Sequence, residues 1–262
     1  MAKSGKTVLT VVSAVGAIAA VAVGIGAGAL VVHDRQSDRD KRVSAIRASD
    51  AAQIAKLDTA VTAGVRSDGS HYGSLFAYLL PTPAGWSLGD GVGNQGDNTY
   101  LTQSQINAHV QSGLLNVPKS DLSSTKSTLT DLHLQGIALR SMVKPDETMQ
   151  LSFVLLQLDP KAASADQKNL GLYVDGLGWR QGASVPGYPG VHCVLPPGLG
   201  SDKLDSMLCI GSYGDVEVIL QTDGVAPLDQ NTAAQMMAQQ LNRLKSAQTL
   251  TVGSPDQKDQ NE

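Results

Sequence analysis

The sequence is poor in aromatic rings, in cysteine and in positive charge, and each shortage removes a class of function. Phe, Trp and Tyr make up 4% of the 262 residues, too few for the stacked rings on which bases or sugars are held. Twenty Lys and Arg stand against 24 Asp and Glu, so there is no basic footprint for nucleic acid and no reason to adhere to anionic lipid. Two cysteines, Cys193 and Cys209, form no C-x-x-C pair. The five histidines (His33, His71, His109, His133 and His192) never recur at metal-ligand spacing, and H-E-x-x-H is missing. No metal and no cofactor is therefore expected.

Signs of catalysis are equally thin. No G-x-S-x-G occurs, and Gly211-Ser212-Tyr213-Gly214 lacks the spacing of a nucleophile elbow. His192 beside Cys193 could form a thiol–imidazole pair, but that cysteine is better used as half of a disulfide. Carboxylates paired for hydrolysis come from distant segments, so sequence does not reveal them. The balance leans against an enzyme without deciding the matter.

One stretch is present in excess. Thr7–Val32 runs 26 residues without a charged side chain, with Lys3 and Lys6 before it and Asp34, Arg35, Asp38 and Arg39 close behind. About 20 apolar residues span a bilayer core, and a soluble core helix is rarely apolar on every face. A transmembrane signal-anchor over 7–32 is expected, with 1–6 as a cytoplasmic leader and the C-terminal part outside the cell membrane. Counting Lys and Arg alone does not favour a cytoplasmic N-terminus; a short leader before a long trailing domain does. The alternative is secretion after cleavage at Ala29, in the A-x-A sequence Ala27-Gly28-Ala29. Gly16, Ala20, Gly24 and Gly28 recur every four residues, a small-residue ridge through which two membrane helices could pack into a homodimer.

Beyond the anchor, 18 Lys and Arg face 24 Asp and Glu, a net charge of −6. Ser37 to about Gly64 has a capping-box-like start and an apolar stripe of Val43, Ile46, Ile54, Leu57 and Val61; it predicts a juxtamembrane helix within 33–66. The region 67–246 reads as one extracytoplasmic domain. Tyr72–Leu80 is a short apolar helix or strand, and Gly85–Asn98 a loop. A helix starts at Thr102. Leu132–Val143 and Met149–Leu158 read as strands joined by a turn at Lys144-Pro145-Asp146. Asp159 and Pro160 open a helix, Gly176–Gly190 is a Gly/Pro-rich loop, and Val191–Leu195, Met207–Gly211 and Asp215–Thr222 are strands. Asp229 or Asn231 caps a final helix to about Ser246, and 247–262 reads as a disordered tail. The expected fold is α+β: an antiparallel sheet with helices packed on one face.

Two cysteines on adjacent strands of an exported chain suggest a Cys193–Cys209 disulfide, closing a loop of about 17 residues and stabilising by about 3 kcal/mol on the chain-entropy model; two buried thiols are the alternative. Gly91-Val92-Gly93-Asn94-Gln95-Gly96 spells G-x-G-x-x-G, but no hydrophobic strand precedes it and no acidic residue follows at the right distance, so a dinucleotide site is not expected. Asp90, Asn94, Asp97 and Asn98 match no calcium loop and read as turn residues. Trp179, Arg180 and Tyr188, types that dominate interface hot spots, make 176–190 the candidate surface for an envelope protein or ligand; the alternative is that the two rings cap the core.

Five segments carry a resemblance: Leu79–Trp86, Gln135–Met142, Cys193–Pro197, Leu204–Cys209 and Gly214–Val218. Together they resemble uncharacterised secreted or membrane-anchored proteins of high-GC actinobacteria, over roughly Leu75 to Leu244. More distantly, a cysteine-stapled sheet closed by a C-terminal helix looks like the extracytoplasmic sensor domains of actinobacterial receptor kinases. The resemblance implies no activity and transfers no functional residue. The function expected is a membrane-anchored extracytoplasmic binding or interaction domain; the alternative is an exported hydrolase whose site is dispersed in sequence.

Overall fold

Long runs of Val, Ile, Leu and Met alternating with smaller or polar residues build strands here, and two-residue or short turns join them into antiparallel ribbons. The computed structural model describes residues 62–92, 96–101, 104–107, 123, 127, 133–163, 178–196, 204–245 and 250–251. In chain order these are β1 (Thr62–Val65), β2 (His71–Tyr72), a 3-10 turn (Leu75–Tyr78), β3 (Ser87–Leu88), β4 (Asn98–Leu101), β5 (Gly136–Val143) and β6 (Met149–Gln157). There follow β7 (Arg180–Gln181), β8 (His192–Leu195), β9 (Leu204–Tyr213), β10 (Val216–Val225), a final helix (Gln230–Lys245) and β11 (Leu250–Thr251). The expected anchor 7–32, the ridge Gly16, Ala20, Gly24 and Gly28, the alternative cleavage at Ala29 and most of the expected juxtamembrane helix lie outside the described residues. Among the described residues no helix is long and apolar enough to cross a membrane.

Eight strands form the main sheet in the order β3-β5-β6-β10-β9-β8-β7, with β4 also pairing with β5. A second, three-stranded sheet has the order β11-β1-β2. Every pairing described is antiparallel, as expected. The core of the main sheet is the pair of ribbons β5–β6 and β9–β10, joined through β6 and β10.

Register assigns the faces, because directly opposed residues project to the same side. One face carries Leu151, Phe153, Leu155, Met207, Cys209, Val218 and Leu220, which pack with Ala233, Met237, Leu241 and Leu244 of the final helix. The other carries Ile137, Leu139, Val154, Leu156, Leu208, Ile210 and Ile219. Ile106 and Ala163, from helical residues 104–107 and 160–163, belong to this second cluster. Helical segments therefore lie on both faces and not on one, since each face of the sheet carries an apolar cluster that needs cover.

Two further expectations change. Thr62–Val65, read as the end of the juxtamembrane helix, is a strand: it pairs with β2 and with β11. Leu250–Thr251, placed in the disordered tail, is its other partner. Neither pairing has a local signal, because each partner is distant in sequence. The loops also hold short edge strands (β3, β4 and β7) whose two to four residues are ordered by the longer strand beside them.

Candidate functional site

The second face changes character along the strands. Reading towards the β5–β6 turn, Ile137 and Leu139 give way to Ser141, and in β6 Leu156 and Val154 give way to Ser152 and Gln150. In β10 Ile219 is followed on that face by Gln221 and Asp223, and in β9 Ser206 stands beyond Ile210 and Leu208. Register puts these together: Ser141 faces Ser152, Ser152 faces Gln221, Gln150 faces Asp223, and Asp223 faces Ser206. Six polar side chains from four strands thus make one shelf at one end of this face, with buried Glu217 at the other end of β10.

The shelf is internally bonded. Ser206 Oγ donates to Asp223 Oδ1 at 2.6 Å, and Gln221 Nε2 donates to Asp223 Oδ2 at 3.0 Å. Ser152 Oγ lies 3.4 Å from Ser141 Oγ, and the Asp90 N–H donates to Gln150 Oε1 at 3.4 Å. Ser141 and Ser152 are buried, while Gln150, Ser206, Gln221 and Asp223 are half-buried. Gly89 leans over the buried end, where a Cβ would come 2.7 Å from Ser141 Oγ; glycine is what lets the backbone approach so closely. At the outer end the next row of the same face is Leu204 opposite Val225, 62% and 49% exposed. Polar hydrogen-bonding groups bordered by an apolar lip can hold a ligand with amides or hydroxyls beside an aliphatic group. Asp223 is the shelf's sole carboxylate, and Ser206 gives its hydroxyl to Asp223 instead of to a histidine base, which is not the arrangement of an activated serine.

The expected surface trio is not one patch. Trp179 packs against the second-face cluster, whereas Tyr188 packs against the helix-side cluster and its hydroxyl donates to Asn242 Oδ1 at 2.7 Å. Arg180 is exposed and lies 3.8 Å from Asp205, a distance that contributes little in water. Val92 of the glycine-rich loop is buried and its N–H donates to the Gly96 carbonyl at 2.8 Å; the loop lies between β3 and β4 of an antiparallel sheet, not at the βα turn of a parallel one. Asn98, considered with the turn residues, accepts from Arg140 Nε at 2.8 Å.

Cys193 and Cys209 form the disulfide. They are directly opposed on β8 and β9 and buried, which pins a four-residue strand to a ten-residue one and excludes a thiol–imidazole pair with His192.

Sequence reasoning missed a second polar centre. His71 is 2% exposed, with Nδ1 2.5 Å from Asp215 Oδ1 and Nε2 2.9 Å from the carbonyl oxygen of Leu244. Burial alone would push the Asp215 carboxyl up. The hydrogen bonds from the His71 side chain, Gln157 and the His71 backbone, with the nearby imidazole charge, outweigh it and hold the group below the usual carboxylate range. Gly214-Asp215 is the two-residue β9–β10 turn, with Gly214 at φ +61°, so a type II′ turn aims Asp215 at a partner 144 residues away. Its one sequence signal was the Gly-Asp pair between alternating strands.

No protein family and no curated protein matches this sequence. Among solved structures, the extracellular domain of PknH from Mycobacterium tuberculosis is similar at a TM-score of 0.32 and 13% identity, over 42% of this chain and 66% of that one. The likeness is distant.

Proposed function

We propose that this chain is a membrane-anchored extracytoplasmic binding domain that receives a segment of a partner protein on its polar shelf. The observation that supports this reading is the gathering of Ser141, Gln150, Ser152, Ser206, Gln221 and Asp223 from four strands beside the exposed Leu204–Val225 pair. A peptide offers amides and hydroxyls for the shelf and an aliphatic side chain for the lip. The apolar segment 7–32 supports an anchor with the domain outside, and the buried disulfide suits an oxidising compartment. The homodimer ridge remains part of the proposal, as a second contact within the membrane.

The test is cross-linking of the full-length protein in its native membranes, with wild type, Asp223→Ala with Gln221→Ala, and Arg180→Ala compared. A stoichiometric partner should be captured by wild type and by Arg180→Ala, and lost about tenfold or more in the double variant, as for residues at a hot spot. Equal capture by all three chains, or recovery of this chain alone, would count against the shelf. Turnover of an envelope substrate by the purified protein would favour the hydrolase instead.

A further inference from the structure

His71 sits where three parts of the chain meet. It lies in β2, which pairs with β1 at the point where the chain enters the domain. Its imidazole reaches Asp215 in the β9–β10 turn and the last turn of the final helix at Leu244. That helix leads on to β11, the other partner of β1. One buried ring therefore ties the entering hairpin to the departing helix.

Both ring nitrogens face oxygen acceptors. A carbonyl oxygen never donates, and an ionised carboxylate does not either, so both contacts are hydrogen bonds only while both nitrogens carry protons. Asp215 Oδ1 also accepts the His71 backbone N–H at 3.0 Å, and Oδ2 accepts Gln157 Nε2 at 2.9 Å. Among the described residues two aromatic rings flank the imidazole, Tyr78 edge-on at 4.9 Å and Tyr213 at 6.3 Å. Arg66 donates to the His71 carbonyl oxygen at 2.9 Å, and Lys245 follows Leu244 with its side chain exposed. Asp215 is the anion against the ring, and Arg66 is held by the Ser70 hydroxyl and the His71 carbonyl oxygen.

We propose that His71 is a proton-dependent latch, closed when its ring is doubly protonated and released from the final helix when one proton leaves. The proton lost is the one on Nε2, because a bare Nδ1 would set its lone pair against the Asp215 carboxylate, a worse contact than a lone pair against a carbonyl dipole. Leu244 then loses its donor, and the end of the helix, whose last carbonyls have no partner within the helix, loses its cap and the cation that favours that end. The sign follows: the latch contributes while both ring nitrogens are protonated and is lost when rising pH removes one of the two protons. On the acid side it fails only when Asp215, held below the usual carboxylate range, is protonated. The latch stands whatever the shelf binds.

The experiment uses the full-length protein in lipid nanodiscs, isotope-labelled at histidine nitrogen, from about pH 5 to about pH 9. One ring should pass from two protonated nitrogens to Nδ1–H alone. Over the same step, amide exchange of 242–245 and 65–72, corrected for intrinsic rates, should rise towards tenfold per pH unit, the limit for release of one proton. Exchange at Leu139 and Val154 in the sheet centre should not follow it. In His71→Gln this pH dependence should vanish, and if that variant does not fold, the wild-type measurements decide alone. A His71 ring that keeps one protonation state throughout, or one that titrates with no change in exchange at either segment, overturns the proposal.

Discussion

Single residues here are constrained by where the chain folds back on itself. Gly214 has φ +61°, and a Cβ on it would lie 2.2 Å from the Gly69 carbonyl oxygen. Gly214→Ala combines a left-handed backbone cost of about 1–2 kcal/mol with a clash against backbone that cannot rotate away. A loss of at least about 2 kcal/mol is expected, read from the denaturation midpoint. Gln240 is fully buried and clips the 3-10 turn to the helix: its Nε2 donates to the Tyr78 carbonyl at 2.8 Å, and its Oε1 accepts the Leu80 N–H at 2.7 Å. Gln240→Leu keeps the volume but leaves both backbone groups unsatisfied, at about 2 kcal/mol; a variant as stable as wild type would show that the turn finds other partners. Asp215 sets an acid limb. Its carboxyl is held below the ordinary value, so the stability it contributes is complete above the unfolded value near 4 and is lost as pH falls through the lower, folded one. Urea titrations at decreasing pH should show this fall in wild type and much less of it in Asp215→Asn.

Between elements, local chemistry and tertiary pairing divide the work. The final helix is legible at its start: Asp229 accepts the Thr232 N–H at 3.1 Å and the Thr232 hydroxyl at 2.7 Å, an N-cap whose removal in Asp229→Ala should cost about 1 kcal/mol by thermal melting. The β8–β9 pair was legible in part, because two cysteines and alternating Val and Leu announce adjacent strands. Cys209→Ser should cost about 2–4 kcal/mol, and reduction of wild type should reproduce most of that loss. The short strands β1, β3, β4, β7 and β11 were not legible. Each has two to four residues, too few for a periodic pattern, and exists because a neighbour supplies its hydrogen bonds. Thr62-Ala63-Gly64-Val65 shows the competition. A helical stripe ran up to it, yet the pairing of Gly64 with Tyr72 and of Ala63 with Leu250 decides for a strand.

At the scale of the molecule, the chain closes on itself. The strand that enters the domain lies between β2 and β11, so a chain ending at Lys245 would leave one edge of β1 bare. Such a truncation should raise amide exchange in 62–65 while leaving β5 and β6 protected; unchanged exchange in β1 would mean that β11 contributes nothing to holding it. Sequence alone pointed to the antiparallel α+β class, the β5–β6 and β9–β10 ribbons, the cysteine pairing and the final helix, because those follow from periodicity, turn chemistry, caps and the short spacing of the two cysteines. It could not assemble the shelf or find the partner of His71. Ser141, Gln150, Ser206, Gln221 and Asp223 each read as an ordinary polar residue in a strand, and Trp179 and Tyr188 as neighbours on one loop. Only register put the first group on one face, and only the sheet between them put the two rings on opposite sides. A side chain's face is inherited from its strand partners, and those partners lie as far apart in sequence as Gln150 and Asp223, beyond the reach of any local rule.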